Sequence, residues 1–334
     1  MRVLVIGGGG YIGSHVVLSL AEAGHDPYVF DRLSNGRYHE FFGDKFLKGD
    51  IGDDDALTEI FEMSAPDAVV YLAGEIEVAR SVEDPLTFYE SNVSHAVRLL
   101  KVMIRYGVKN IVFSSSAAVY GSPDSDRALR ESDELSPVNP YGWSKLFVER
   151  ILSDCFASHG VSALIFRYFN AAGAHESGLL GELHDPETHL IPLAVRAGLD
   201  CGFLSVYGDD YATEDGSPVR DFVHVCDIAS AHVAGLEYLA NSFQPVHSVL
   251  NLGSGVGRTV KSVLAEVENQ LGCSLKYKVG SRRQGDPRML VADITAAKHH
   301  LGWAPRLSSL DVIVSSALAF ERAHRDNRLD LSPV

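Results

Sequence analysis

RVLVIGGGGYIG, residues 2–13, carries the strongest structural signal in this chain. Its apolar, β-branched start predicts a buried strand. Gly7, Gly10 and Gly13 follow at a Gly-x-x-Gly-x-x-Gly spacing and lead into a helical stretch that ends near Gly24. Glycines allow a tight turn and a close backbone approach to a pyrophosphate, which the N-terminus of the next helix attracts. The stretch therefore predicts a dinucleotide-binding turn.

An acidic residue ends the second predicted strand, at residues 28–30. Asp31 lies 18 residues after Gly13. A carboxylate there can accept hydrogen bonds from the ribose 2′-hydroxyl of NAD and would repel the 2′-phosphate of NADP. The adjacent Arg32 could serve a 2′-phosphate, but because Asp31 comes first we expect the cofactor to be NAD.

Tyr141 and Lys145 are four residues apart in a stretch that predicts a helix, so they share one face. A nearby ammonium favours the phenolate and lowers the tyrosine pKa from about 10. The pair is therefore a candidate general base for removing a proton from an alcohol. The same spacing also occurs by chance on surface helices, and the glycine-rich turn is what favours the catalytic interpretation.

Composition is typical of a globular intracellular enzyme. The chain has 334 residues, 46% of them hydrophobic, which suits roughly two domains. There is no apolar run of about 18 residues, and the first strand begins at residue 2 without a basic leader, so we expect neither a membrane span nor a secretory signal. Four widely spaced cysteines predict buried free thiols and a cytoplasmic location.

Charge and histidine spacing exclude two further classes of ligand. The formal net charge of −15 argues against nucleic-acid binding. Any anionic ligand must then be held by local arginines and backbone amides. The 14 histidines show no His-x-x-x-His motif and no metal spacing flanked by glutamate, so we expect no metal site.

Predicted strands and helices alternate along the first half of the chain. This pattern predicts an α/β fold with a Rossmann-type, doubly wound parallel sheet. We expect an NAD-binding domain at residues 1–170, joined again by a strand near 248–252. Residues 171–334 would form mainly a smaller, irregular α/β domain that binds the substrate. Ligands of such sheets bind at the carboxyl ends of the strands, and the segments expected there are residues 50–51, 73–74, 114–116 and 167–170.

The glycine motif, Ser116 and the Tyr141-x-x-x-Lys145 motif, in this order, resemble the extended short-chain dehydrogenase/reductase (NAD-dependent epimerase/dehydratase) family. Nearly the whole chain takes part in the likeness. Within the family it is closest to the enzymes that invert C4 of UDP-sugars. The blocks that carry this finer likeness are residues 114–121, 167–170, 206–211, 220–225 and 282–286.

The resemblance implies an NAD-dependent isomerase that interconverts UDP-galactose and UDP-glucose through a transient 4-keto sugar. It implies catalytic roles for Ser116, Tyr141 and Lys145. The implied cofactor-binding residues are Gly7, Gly10, Tyr11, Ile12, Gly13, Asp31, Asn35, Asp50, Ile51, Leu72, Ala73, Gly74, Ser91, Tyr141, Lys145 and Phe169. The implied substrate-binding residues are Ser116, Asn170, His189, Leu190, Tyr207, Arg220, Arg283, Asp286 and Leu290. It also implies a homodimer formed by helices near residues 86–106 and 141–158.

Four positions depart from the pattern that the resemblance implies. Ala118 replaces a threonine that bonds the sugar, and Ile76 replaces a lysine that contacts the cofactor. His189 replaces an asparagine. Leu290 stands where a tyrosine excludes N-acetyl groups, so we expect activity on UDP-N-acetylhexosamines as well.

Simpler interpretations exist for several of these residues. Arg220 could pair with Asp221 or Asp215 at the surface, Arg283 could lie in a solvated turn, and Asn170 could cap a loop.

Three other functions compete with this interpretation. A 4-epimerase of UDP-pentoses or UDP-uronates fits the same motifs. A nucleotide-sugar 4,6-dehydratase needs an acid and a base just after Ser116, where this chain has Ala117 and Ala118. A non-catalytic NAD-binding protein would not need Ser116, Tyr141 and Lys145.

Overall fold

The computed structural model describes residues 1–32, 43–123, 126–283 and 285–330. Its strands are β1 (Arg2–Ile6), β2 (Asp26–Asp31), β3 (Phe46–Lys48), β4 (Ala68–Tyr71), β5 (Asn110–Ser116), β6 (Ser162–Tyr168), β7 (Asn170–Ala172), β8 (Phe203–Tyr207), β9 (Val219–His224), β10 (His247–Leu252), β11 (Gly257–Thr259), β12 (Lys276–Gly280) and β13 (Met289–Leu290). Its α-helices are α1 (Tyr11–Glu22), α2 (Asp54–Ser64), α3 (Val78–Glu83), α4 (Pro85–Tyr89), α5 (His95–Tyr106), α6 (Pro140–His159), α7 (Leu190–Leu199), α8 (Val225–Ala240), α9 (Val260–Leu271), α10 (Thr295–Leu301) and α11 (Leu310–Asp330).

The main sheet has seven parallel strands in the order β10-β6-β5-β4-β1-β2-β3. The predicted fold class, a Rossmann-type doubly wound sheet, is confirmed. The strand predicted at residues 248–252 is β10, and it lies beside β6 at one edge of this sheet. The β5 strand is longer than expected, because Ser114 and Ser116 continue the parallel pairing with β6.

Two hydrophobic cores cover the two faces of the main sheet. Alternate residues of β1 face opposite cores, as strand geometry requires: Val3 and Val5 pack with α1 and α8, whereas Leu4 and Ile6 pack with α2, α5 and α6. Because helices cover both faces of the sheet, its strands have continuous apolar sequences. The helices α5 and α6 end at Gly107 and Gly160, which cap them in the left-handed conformation that glycine tolerates.

The second half of the chain builds two small sheets. One contains β7, β9, β11 and β13, and the other pairs β8 with β12. A third core packs α7, α9 and α11 together. The parallel pairing of β13 with β9 places Leu290 beside Arg220, although 70 residues separate them in sequence. Two segments that the sequence could not relate therefore share one surface.

The helix predicted near residues 86–106 is interrupted. It consists of α4, a π-helical turn at Glu90–Ser94, and α5. The turn buries Ser91 and Asn92. Single π-helical turns inside α-helices are frequent at functional sites, and this one turns the amide of Asn92 toward the edge of the sheet where the nucleotide is expected.

Two further expectations concern cysteines and membranes. The four cysteines are free, as predicted, but the expectation that they are buried is wrong: Cys201 and Cys273 are exposed, and Cys155 and Cys226 are only partly buried. Among the described residues, no helix combines the length and the apolar character needed to cross a membrane.

Candidate active site

The glycine-rich turn packs too closely for side chains at two of its three glycines. Gly7 has φ +85°, and a Cβ on it would lie 2.6 Å from the Ala73 amide nitrogen. A Cβ on Gly13 would overlap the Gly7 carbonyl oxygen. Gly10 differs, because a Cβ there would have only the Gly7 carbonyl oxygen within 4 Å, at 3.6 Å. The space above Gly10 at the start of α1 therefore fits a dinucleotide pyrophosphate.

The acid at the end of β2 is held at this turn. The Gly9 amide donates a hydrogen bond of 2.8 Å to Asp31 Oδ2. The neighbouring Arg32 is drawn away from a 2′-phosphate role, because its guanidinium pairs with Glu75 at 3.1 Å and lies 3.7 Å from Asp50. An acid at the turn and an arginine neutralised by other acids suit NAD rather than NADP.

The other predicted cofactor residues lie mostly around the same edge of the sheet. Leu72 and Ala73 follow β4, and both amides donate to the Ile6 carbonyl. A cavity of about 300 Å³ lies next to them. It is lined by Arg32, Glu75, Leu86, Thr87, Glu90, Ser91 and His95. Asp50 accepts from the Gly52 amide, and Ile51 is buried.

Three further predicted cofactor residues make contacts within the protein, and a fourth falls outside the described part of the chain. The Tyr11 hydroxyl donates to the Gly173 carbonyl at 2.6 Å, and Ile12 packs against the core that contains α1. Phe169 follows β6, and its ring packs against Tyr120. Asn35 lies outside the described residues.

The three predicted catalytic residues meet at the end of β5. Ser116 is the last residue of β5, and Tyr141 and Lys145 lie in the first two turns of α6. The Ser116 side chain lies close enough to the Tyr141 phenol to favour the charged form of that phenol. Lys145 Nζ donates to the Ser114 carbonyl at 3.0 Å and lies 5.8 Å from the centre of the Tyr141 ring. A proton could therefore pass between a substrate hydroxyl, Ser116 and Tyr141.

Burial sets the proton affinities of this group. Burial raises the pKa of the Tyr141 phenol, and the nearby Ser116 side chain only partly opposes this. Burial lowers the pKa of Lys145 to about 8. The expectation that Lys145 alone lowers the pKa of Tyr141 is therefore wrong, because loss of hydration outweighs the distant ammonium.

Asn92, which the sequence analysis missed, connects the cofactor edge to the catalytic helix. Its amide oxygen accepts from the Glu75 amide at 2.8 Å, and its amide nitrogen donates to Ser144 Oγ at 2.9 Å. It also lies against Gly74, where a Cβ would approach the Asn92 side-chain oxygen to 2.7 Å. Asn92 thus fixes α6 relative to the segment that follows β4. The only sequence signal is its place two residues after the acidic Glu90, which is too weak to predict this role.

A buried ion pair connects β6 to the helix α6 that carries Tyr141 and Lys145. Arg167 on β6 bonds Glu149 on α6 through two nitrogens, at 3.0 and 2.7 Å, and donates to the Tyr120 hydroxyl. Tyr120 in turn donates to Asn251 on β10 at 2.7 Å. Paired and fully bonded charges of this kind fix geometry even where their net stabilisation is small. The network therefore orients α6 over the sheet.

Five of the predicted substrate residues lie together in the second half of the chain. Arg220 is hydrogen-bonded to Asp286 rather than to Asp221 or Asp215. The Arg283 guanidinium stacks on the Tyr207 ring at 4.1 Å. Leu290 is the β-sheet partner of Arg220. Two arginines beside an aromatic ring suit a nucleoside diphosphate, because guanidinium groups give paired donors to phosphate oxygens.

The remaining predicted substrate residues lie near this group or at the start of α7. Asn170 does not simply cap a loop, since its side-chain nitrogen donates to the Asp221 carbonyl and ties β7 to β9. Leu190 is the first residue of α7, and His189 precedes it. The His189 imidazole contacts Glu182 rather than Arg220 or Arg283.

The fold and the site together define a class. A doubly wound sheet with a glycine-rich turn, and with a Ser–Tyr–Lys group at the carboxyl edge of its strands, is the architecture of a nucleotide-dependent enzyme of the short-chain dehydrogenase/reductase type. A model of the NAD dependent epimerase/dehydratase family matches residues 3–253. The chain belongs to this family, and the resemblance found in the sequence is confirmed.

Individual relatives cover almost the whole chain. A UDP-glucose 4-epimerase of Rhizobium meliloti is 45% identical over 319 residues, which are 95% of each protein. The structure of a UDP-glucose 4-epimerase from Brucella ovis in complex with NAD is 41% identical, with a TM-score of 0.90 over 95% of this chain and 97% of that one. A structure from Stenotrophomonas maltophila, a UDP-glucose-4-epimerase with bound NAD and formylated UDP-arabinopyranose, is 36% identical, with a TM-score of 0.92 over 98% and 99%.

Substitutions in the glycine-rich turn should separate cofactor binding from folding. Gly10→Ala places a methyl group in the open space at the start of α1, where φ is −82° and imposes no strain. We expect this variant to fold with a Tm close to that of the wild type and to lose NAD. Gly13→Ala should lose both NAD and stability, by about 2 kcal/mol or more, because its Cβ overlaps backbone.

Differential scanning fluorimetry and the NAD content of denatured protein would measure the two effects. Gly202→Ala is the matched control, because its backbone is not left-handed, the added Cβ meets only Ala197 at 3.7 Å or more, and it lies away from the turn. Full NAD content in Gly10→Ala would contradict the assigned binding surface.

Proposed function

We propose that this protein is a UDP-glucose 4-epimerase that interconverts UDP-galactose and UDP-glucose with tightly bound NAD. The observation that carries the proposal is the meeting of Ser116, Tyr141 and the buried Lys145 at the end of β5, at the edge of the sheet that the glycine-rich turn also faces. The site thus offers a base for a sugar hydroxyl next to a place for a nicotinamide. Its relatives of the same name support the choice of substrate.

Each catalytic residue has one task in this proposal. Tyr141 accepts the proton of the 4-hydroxyl, and Ser116 bonds the same oxygen and relays the proton. Lys145, held by the Ser114 carbonyl, keeps a positive charge near the phenolate and binds the nicotinamide ribose. Bound NAD supplies reversible acceptance of hydride from C4 and, when oxidised, a positive charge that favours the phenolate. After the keto sugar turns over, Tyr141 returns the proton.

The cofactor itself would rest on three sets of groups. Gly10 and the start of α1 would hold the diphosphate, Asp31 would bind the adenosine ribose, and Asp50 and Ile51 would line the place of the adenine. Ser91 and Phe169 would complete the binding surface.

The UDP-sugar would bind to the group of residues in the second half. Arg220 and Arg283 hold the diphosphate, Tyr207 stacks beside it, and Asp286 orients Arg220. Asn170 and Leu190 line the sugar side. We also propose that residues 1–170 with β10 act as the cofactor domain and that residues 171–334 act mainly as the sugar domain.

Elimination chemistry does not suit this site. A 4,6-dehydratase must remove and add protons at sugar carbons, which requires carboxylates beside the catalytic serine. The two residues after Ser116 are Ala117 and Ala118, which form a short 3₁₀ turn. The residues at this site therefore fit an epimerase, which returns the hydride to the sugar, better than a 4,6-dehydratase.

Turnover should occur without added cofactor and should depend on the phenol of Tyr141. We expect wild-type protein incubated with UDP-galactose alone to produce UDP-glucose, followed by the anomeric signals in proton NMR. Tyr141→Phe should remain folded and NAD-loaded while turnover falls by about 10²–10⁴-fold, since it loses its general base. Tyr238→Phe on α8 is the matched control and should keep wild-type turnover.

Two outcomes would overturn this assignment. Near-normal turnover in Tyr141→Phe would exclude the role of the phenol. If UDP-galactose stays unchanged even with added NAD, the preferred sugar is a different one, and UDP-pentoses and UDP-uronates are assayed next. UDP-pentoses come first, because the Stenotrophomonas maltophila relative holds a UDP-arabinopyranose derivative.

Leu290 should allow the enzyme to convert a wider range of UDP-sugars. It lies beside Arg220 and is smaller than tyrosine, so we propose that the enzyme also converts UDP-N-acetylhexosamines. We expect Leu290→Tyr to lower turnover of UDP-N-acetylglucosamine about tenfold or more while UDP-galactose turnover changes by less than about threefold. Leu290→Met is the control for volume. Equal losses on both sugars in Leu290→Tyr would contradict selection at this position.

We further propose that the protein is a cytoplasmic homodimer. Val82 on α3 and Leu86 on α4 are 63% and 77% exposed, and Trp143 and Phe147 on α6 add two partly exposed rings that pack on each other. Exposed apolar side chains clustered on neighbouring helices are typical of an interface. Helices near residues 86–106 and 141–158 are those expected to pair.

Charges on this apolar surface should separate the subunits. We expect wild-type protein to sediment at twice the mass of one chain and Val82→Glu/Phe147→Glu to sediment as a monomer, because burying the carboxylates is costly. Phe243→Glu, at a fully exposed phenylalanine between α8 and β10, is the control and should stay dimeric. A wild-type monomer at high concentration would refute the dimer.

A further inference from the structure

Four side chains with metal-ligand chemistry meet in the segment that precedes α7. Glu182, His184, Glu187 and His189 follow the pattern Glu-x-His-x-x-Glu-x-His. Each offers one nitrogen or oxygen atom, and these atoms all lie within 4.8 Å of one another. The expectation of no metal rested on finding neither a His-x-x-x-His motif nor a metal spacing flanked by glutamate, and it overlooked this segment. The turn at residues 182–189 instead brings two imidazoles and two carboxylates to one point.

The donor atoms converge on a common centre. His184 Nδ1 lies 3.0 Å from Glu182 Oε1, and His189 Nδ1 is hydrogen-bonded to the same oxygen. Glu187 Oε1 lies 3.9 Å and 3.7 Å from these two nitrogens. In a tetrahedral zinc site with ligands at about 2.0–2.2 Å, neighbouring donors are about 3.3–3.6 Å apart. Small side-chain movements would therefore suffice to bind an ion.

The charges of this cluster also favour a divalent cation. The side chains of Glu182 and Glu187 are only 5% and 4% exposed. Buried carboxylates are usually paired with positive groups or bound to metal ions. One divalent ion bound by all four side chains would balance the two carboxylate charges.

Glu187 gives an independent sign of an incomplete arrangement. Its Oε1 accepts from the Thr188 and His189 amides at 2.8 and 3.0 Å. Its buried Oε2 makes no hydrogen bond with any described residue, and its nearest cation is Arg196, at 3.6 Å. Buried polar atoms without partners are rare in folded proteins. A metal ion would satisfy this carboxylate.

We propose that Glu182, His184, Glu187 and His189 bind a divalent transition-metal ion, with Zn²⁺ the best match. Imidazole nitrogen and carboxylate oxygen are both common zinc ligands, whereas Ca²⁺ and Mg²⁺ take oxygen ligands. Binding displaces the protons of both imidazoles, so affinity falls as the pH is lowered.

A bound ion would stabilise the segments next to the proposed nucleotide site. The Tyr11 ring packs edge-on against His184, with 6.3 Å between ring centres, and Tyr11 begins α1. On the other side, His189 precedes Leu190 and α7. A metal held between these segments would fix the start of α7 relative to the glycine-rich turn. Its role is structural, and it takes no part in proton or hydride transfer.

Direct metal binding by the complete NAD-loaded protein tests the proposal. Protein treated with a chelator and then dialysed against micromolar Zn²⁺ should retain one zinc per chain by plasma mass spectrometry, and its Tm should rise by about 3 °C or more. Co²⁺ in place of Zn²⁺ should give the intense visible spectrum of tetrahedral coordination.

Substitutions of individual proposed ligands test where the ion binds. His189→Asn and Glu182→Gln should each weaken zinc binding by at least about tenfold and abolish the rise in Tm. His189 is half exposed, so its replacement should fold even if the buried Glu182 variant does not. The control is His299→Gln/His300→Gln, which removes two adjacent exposed imidazoles. The proposal is overturned if wild-type protein retains no zinc, or if only this control loses it.

Discussion

The site depends on one constraint, the close packing of the Gly7 backbone against the Ala73 amide. Because Gly7 carries no side chain, β1 can turn directly against the segment that follows β4. That segment continues through Gly74 to Glu75, which Asn92 holds with two hydrogen bonds. Asn92 also bonds Ser144, so the same chain of contacts reaches α6 and its catalytic side chains. Cofactor surface and base are therefore positioned by one continuous structure.

Local charge, rather than the net charge of −15, governs binding in this protein. Acids at the edge of the main sheet neutralise Arg32, which leaves Asp31 to select the cofactor. In the second half of the chain, Arg220 and Arg283 place positive charge where a diphosphate would bind, and Asp286 orients one of them. An acidic protein can thus attract a doubly charged substrate, because fields at short range in a partly buried site outweigh screened distant charges.

Burial has opposite consequences at the two polar clusters of the molecule. At the catalytic group it raises the pKa of Tyr141 and lowers that of Lys145 to about 8, so it disfavours the charged form of both side chains. In the segment before α7, the buried carboxylates are stabilised in their charged form by adjacent imidazoles. The first arrangement is poised for proton transfer, whereas the second is suited to holding a cation in place.

The sequence by itself determined the parallel sheet, the glycine-rich turn and the Tyr141–Lys145 pair, because strand patterning, turn glycines and helical spacing are local properties. It also predicted substrate-binding residues in the second half of the chain, but only through family resemblance. Tertiary structure decided what depends on distant segments: the pairing of Arg220 with Asp286 and the bridge made by Asn92. It also decided the proton affinity of Tyr141. These features follow from three-dimensional proximity and burial, which local patterns in the sequence do not encode.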